Sequence, residues 1–97
     1  MLQLTDLNNS IIAYRHGKPI HYDHSMRVKW HLPNSDYHSI SQLREFQAAR
    51  DKILVWLQTE FGKVAKERWA WANQSDWFFD VGFNNKKDMI LFKLYCA

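Results

Sequence analysis

The chain has 97 residues, 13 Lys and Arg against 10 Asp and Glu, a formal net charge of +3, and 46% hydrophobic and 24% charged residues. This is enough chain for one domain of ordinary globular composition, which excludes a collagen-like, low-complexity or wholly disordered protein. Aromatic residues reach 15%, including 5 Trp, so large rings must either supply much of the core or mark a recognition surface.

Ile11 to Arg15 and Ile20 to Tyr22 are runs of β-formers around His16-Gly17-Lys18-Pro19, the pattern of a hairpin; Pro19 belongs at a strand start or on an edge. Strict alternation follows: Met26, Val28, Trp30 and Leu32 point one way, Arg27, Lys29 and His31 the other. Pro33 to Asp36 is turn chemistry, and Ser39 with Gln42 has the form of a capping box. A helix is therefore predicted over Ile40 to Phe61, roughly 33 Å long and closed by Gly62. Leu43, Phe46, Ile53, Leu54, Leu57 and Phe61 fall on one broad face of it, with Ile40 at the margin, and that face should pack on a sheet.

Residues 64–72 are ambiguous between helix and strand, with strand favoured from Trp69. Asn73 to Asp76 reads as a turn, Trp77, Phe79, Val81 and Phe83 as one face of a strand, and Asn84 to Asp88 as a polar hairpin loop. Ile90, Phe92 and Leu94 then form the inner face of a last strand. The expected architecture is a single α+β domain over residues 1–97, an antiparallel sheet of an N-terminal hairpin and strand plus a C-terminal meander, packed on one long central helix. One helix cannot cover both faces of so aromatic a sheet, so some rings should be exposed or buried against a partner or a second copy, and homodimerisation is compatible with the pattern.

Several chemistries are set aside. No apolar run exceeds Ile53 to Leu57, far short of a membrane span, and Met1 to Asn9 lacks the basic residues of a leader. The one cysteine, Cys96, can form no internal disulfide and no multi-cysteine metal site; it reads as a small hydrophobe ending a strand, in a cytoplasmic protein. Three scattered glycines build no phosphate loop. His16, His21, His24, His31 and His38 lack metal-ligand spacing, so neither a metal nor a cofactor is expected.

The candidate contact residues are of three kinds. Arg50 lies in the middle of the apolar helix face, where it either snorkels to a rim carboxylate or reaches an anionic group through a gap. Trp56, with Val55, points away from that face and is either an interface anchor or covered by the N-terminal segment. Arg27, Lys29 and His31 make a basic stripe near Trp30 and Tyr37, to which Lys86 and Lys87 add charge at the expected hairpin tip. Together these favour a non-enzymatic binding module that docks a protein or ribonucleoprotein partner as an adaptor or inhibitor. In size and composition the chain resembles small accessory proteins of phages and other mobile elements. The alternatives are a nucleic-acid-binding protein using the basic strand face and a small metal-independent ribonuclease drawing on His24, His31, Arg27 and Lys29.

Overall fold

The computed structural model describes residues 2–7, 11–30, 40–62 and 68–96, and its architecture is α+β. In chain order the elements are β1 (Leu2–Leu7), β2 (Ile11–Arg15), β3 (Lys18–His21), β4 (His24–Trp30), α1 (Ile40–Phe61), β5 (Trp69–Ser75), β6 (Phe78–Phe83) and α2 (Lys86–Cys96). Four strands form an antiparallel sheet in the order β1-β4-β6-β5, and β2 and β3 pair separately as a two-stranded ribbon.

Strand alternation sorts the four-stranded sheet into two unlike faces. Register places Leu4, Val28 and Phe79 in one row and Met26, Val81 and Trp71 in the next, all on the inner face. Phe46, Ile53, Leu57 and Phe61 of α1 and Phe92 of α2 bury against this face. Ring contacts mark the seam: Phe46 lies 6.2 Å from Phe79 between centroids, and Phe61 5.6 Å from Phe83. The outer face carries Thr5, Arg27, Asp80 and Ala72 in one row and Ser25, Gly82 and Ala70 in the next. The small residues let the β2–β3 ribbon lie against β5 and β6, and Tyr22 closes over Ala70, with Ile20 and Ala72 beside them. The chain thus covers its sheet with two helices on one side and part of the other with its own hairpin.

The turns follow local chemistry. His16 and Gly17 have φ of 52° and 77° between the paired Arg15 and Lys18, the geometry of a two-residue type I′ turn that needs left-handed backbone at both positions. Pro19 sits opposite Tyr14, one step beyond the pair flanking the turn, where an N–H points away from the partner strand and its loss costs the ladder nothing. At the end of α1, Gly62 adopts φ 81°, donates its N–H to the Gln58 carbonyl at 2.9 Å, and accepts the Trp69 indole N–H at 3.3 Å.

Three elements depart from the sequence reading. Leu2–Leu7, absent from the expected sheet although Leu2 and Leu4 alternate with Gln3 and Thr5, is an edge strand paired along its whole length with β4. The expected Asn73–Asp76 turn begins later, because β5 continues to Ser75 through a bulge between Asn73 and Ser75. The last strand of the expected meander is the helix α2. Alternation of Ile90, Phe92 and Leu94 coincides there with a helical spacing, since Met89, Phe92 and Cys96 share the packed side. The intended loop is its start: Asn85 Oδ1 accepts the Lys87 N–H at 2.8 Å as an N-cap. The turn at Pro33 to Asp36, Ser39 and residues 64–67 lie outside the described residues.

Gly62 tests the helix stop. A Cβ added there meets nothing within 4 Å, so Gly62→Ala should cost only the left-handed backbone penalty, about 1 kcal/mol, read as a shift of the urea midpoint with unchanged slope.

Candidate functional site

The basic stripe is not a free cationic track. Arg27 donates from Nε to Asp80 Oδ1 at 2.9 Å and from Nη2 to Asp80 Oδ2 at 3.2 Å, a bidentate pair directly across β4 and β6. Its guanidinium also lies 4.1 Å from the centroid of Phe78, over the ring. The Asp80 hydrogen bond, joined by its charge, raises the Arg27 pKa against the opposing effect of burial. Lys29 stands exposed beyond it, opposite Phe78, whereas Lys86 and Lys87 follow Phe83 at the other end of β6, roughly 17 Å of strand away. Those two lysines belong to the first turn of α2, not to a hairpin tip. His31 lies outside the described residues, as do Tyr37 and His38.

The same alternation separates the groups a ribonuclease would draw on. His24 pairs with Phe83 on the inner face, half-buried beside a depression of about 200 Å³ shared with Asp6, Asp23 and Met89. Arg27 and Lys29 occupy the outer face.

Arg50 is largely buried, its side chain 20% exposed, with Nε 3.6 Å from an Asp51 carboxylate oxygen and no hydrogen bond at Nε. The side chain thus turns toward its neighbour's carboxylate at ion-pair distance while Nε itself stays buried. At the start of α1, Gln42 Oε1 accepts the Trp30 indole N–H at 2.8 Å and ties the helix to β4.

Trp56 sits where the two helices meet. Its ring stacks on Tyr95 at 4.2 Å with 2° between planes, meets Phe61 edge-on at 5.7 Å and approaches Phe92 at 6.3 Å. Trp56 is thus covered by α2 and partly buried against the core. Arg68 lies over Phe61 at the end of α1 and pairs with Asp88 at the start of α2, while Trp56, earlier in α1, stacks on Tyr95 at the end of α2, so the two helices run antiparallel. Arg68, across from the start of α2, donates from Nε to the mostly buried Asp88 carboxylate at 3.0 Å and anchors that end.

Above the Trp56–Tyr95 stack lies an open cleft of about 500 Å³ lined by Asp51, Lys52, Val55, Trp56, Thr59 and Tyr95. Thr59 Oγ1 donates to the Val55 carbonyl at 2.8 Å, so its hydroxyl is satisfied within the helix and the cleft wall is largely hydrocarbon and ring. Val55 is 64% exposed, and α2 adds Ile90, Leu91, Leu94 and Tyr95, all exposed, with Leu94 at 68%. The sequence reading missed these four residues because it placed them on a strand; the signal was present in the helical spacing of Lys87, Ile90, Leu91 and Leu94. Among the described residues no helix is long and apolar enough to cross a membrane.

Cys96 ends α2, half-buried against the core, and burial pushes its thiol up from 9.0 to about 11. The chain matches no protein-family model, no curated protein and no solved structure.

Two measurements check these assignments. Arg27→Met strands a buried carboxylate and should cost about 3 kcal/mol in urea unfolding; Asp80→Ala leaves an arginine side chain 37% exposed that can reach water, and should cost about 1 kcal/mol. For Cys96, the rise to about 11 makes thiolate roughly 100-fold scarcer near pH 8 than at an ordinary cysteine, so iodoacetamide labelling should be slowed in proportion and accelerate on unfolding. Because the folded pKa is the higher one, this thiol costs no stability below about pH 9 and lowers it as pH rises toward 11.

Proposed function

We propose that the protein is a non-enzymatic docking module that binds a protein partner through the outward surface of its helix layer, as an adaptor or inhibitor. The observation that carries this reading is a continuous apolar surface from Val55 across Tyr95 and Leu91 to Leu94, beside a cleft floored by Trp56. Isolated exposed apolar residues are normal, but large side chains gathered around an open aromatic-floored cleft have the anatomy of an interface core. The aromatic floor is rigid because Trp56 is held by three other rings, so little side-chain freedom is lost on binding. Charge supports the same choice: Arg27 is committed to Asp80 and Lys29 is remote from Lys86 and Lys87, which leaves the basic surface divided and poorly suited to tracking a phosphate backbone.

The test is capture from the source lysate by the tagged protein and by Val55→Glu, with and without nuclease and at low and high salt, near-UV circular dichroism confirming the fold of both. The expected result is a discrete protein retained through nuclease and high salt and weakened about 30-fold or more by Val55→Glu, the loss of one anchor of about 2 kcal/mol. Bound material that disappears with nuclease or high salt, or retention indifferent to Val55→Glu, overturns the reading.

A further inference from the structure

α2 is apolar on both of its long sides. Phe92 faces the core with Met89 and Cys96 flanking it, while Ile90, Leu91 and Leu94 form a second stripe on the opposite side with Lys87 one turn before them. A helix that is apolar all round belongs between two layers, and in one copy of the chain α2 has only one.

Resting on the reading of the helix layer as a docking surface, we infer that the second layer is α2 of another copy of this chain, packed antiparallel about a two-fold axis near Leu91. Charge singles out this occupant and this direction. Lys86 and Lys87 occupy the first turn of α2, at the positive end of the helix dipole, where cations are disfavoured. The acidic residue of that turn, Asp88, is engaged by Arg68 and does not offset them. An antiparallel copy sets the carbonyl end of its α2, whose own cation Lys93 is drawn aside to Asp6 at 3.2 Å, beside Lys87, turning an unfavourable placement into a favourable one twice in each dimer. The stripe is also self-complementary in shape, since an axis at Leu91 brings Ile90 of one copy between Leu91 and Leu94 of the other and sets each Leu94 beside the stem of the other copy's Lys87.

The contact is small. Three apolar side chains and the lysine stems supply on the order of 500 Å² per copy, below the ~800 Å² of a typical stable complex, so the dimer forms in the micromolar range and depends on concentration. It takes Leu91 and Leu94 out of the partner-docking surface and leaves Val55 and the Trp56 cleft of each copy for the partner, so the assembly presents two docking clefts at once. Two linked clefts bind a repetitive or dimeric partner more tightly than either alone.

Sedimentation equilibrium of the full chain from ~1 to ~500 µM tests this, with Leu94→Lys and Lys87→Glu alongside. The chain should pass from monomer to dimer over that range; Leu94→Lys, which meets the other copy's Lys87, should stay monomeric, and Lys87→Glu should weaken dimerisation about 10-fold. In a Cys96→Ser background, Leu91→Cys should form a disulfide with its own kind, and Lys87→Cys should not. A chain that stays monomeric throughout, undiminished dimerisation of Leu94→Lys, or self-crosslinking of Lys87→Cys in preference to Leu91→Cys overturns the inference. The two readings fail separately: a monomer whose protein capture still depends on Val55 retains the docking surface and loses the second copy, whereas a dimer whose capture is indifferent to Val55→Glu does the reverse.

Discussion

The ring of Phe83 is where the sheet and both helices meet, and the placement of the helix layer depends on it. Phe61 from the end of α1 stands 5.6 Å away and Phe92 from the middle of α2 5.5 Å away, both tilted against it. Each chain segment is steered to this point by local chemistry: Gly62 stops α1 just past Phe61, and Asn85 starts α2 two residues after Phe83. The helices consequently converge at one end of β6 and run back over the sheet side by side. Trp56 and Tyr95 come together as a result, and the cleft above them exists only because the two helices are neighbours.

The two faces of the sheet are covered by different means. The inner face uses bulk, with Trp69, Phe79, Phe83 and Met26 filling the space under the helices. The outer face uses smallness, with Ala70, Ala72 and Gly82 admitting the β2–β3 ribbon close to the backbone. The inner face is thus covered by the two helices, and the β5 side of the outer face by the ribbon. The unmet burial is displaced to the top of the helix layer, at Val55, Leu91 and Leu94.

Much of this was readable from residues alone. α1 is legible in the sequence because the i, i+3, i+4 apolar spacing and the stop at Gly62 agree, whereas the alternation from Met26 shows that β4 exists and which way its side chains face but not its start, two residues earlier at His24. The Trp69 strand and the turn at Gly17 were legible for the same reason. α2 was not, because Ile90, Phe92 and Leu94 satisfy a period of two while their neighbours satisfy 3.6, and in an all-round apolar helix both periods fit. That ambiguity concealed the candidate site, half of which α2 supplies. Periodicity sets Trp56 off the apolar face, whereas its ring packs against Phe61 and Phe92 of the core, and its cover by Tyr95 depends on two segments separated by nearly forty residues, a kind of proximity periodicity does not report. The commitment of Arg27 to Asp80 was hidden likewise, since alternation assigns each to a face but not to a neighbour.

The Arg27–Asp80 pair also bears on how the sheet avoids mispairing. Sliding β4 by one residue along β6 throws the apolar side chains onto the wrong face and is rejected by hydrophobicity alone. Sliding by two keeps every face correct, so the core pattern discriminates against it only weakly. A slide that brings Arg27 opposite Phe78 sets Asp80 against Ser25 and leaves the buried carboxylate without a cation, and the opposite slide exchanges the two-pronged Arg27 for the single ammonium of Lys29. One ion pair on the outer face thus weighs against both of the slips that the aromatic inner face tolerates.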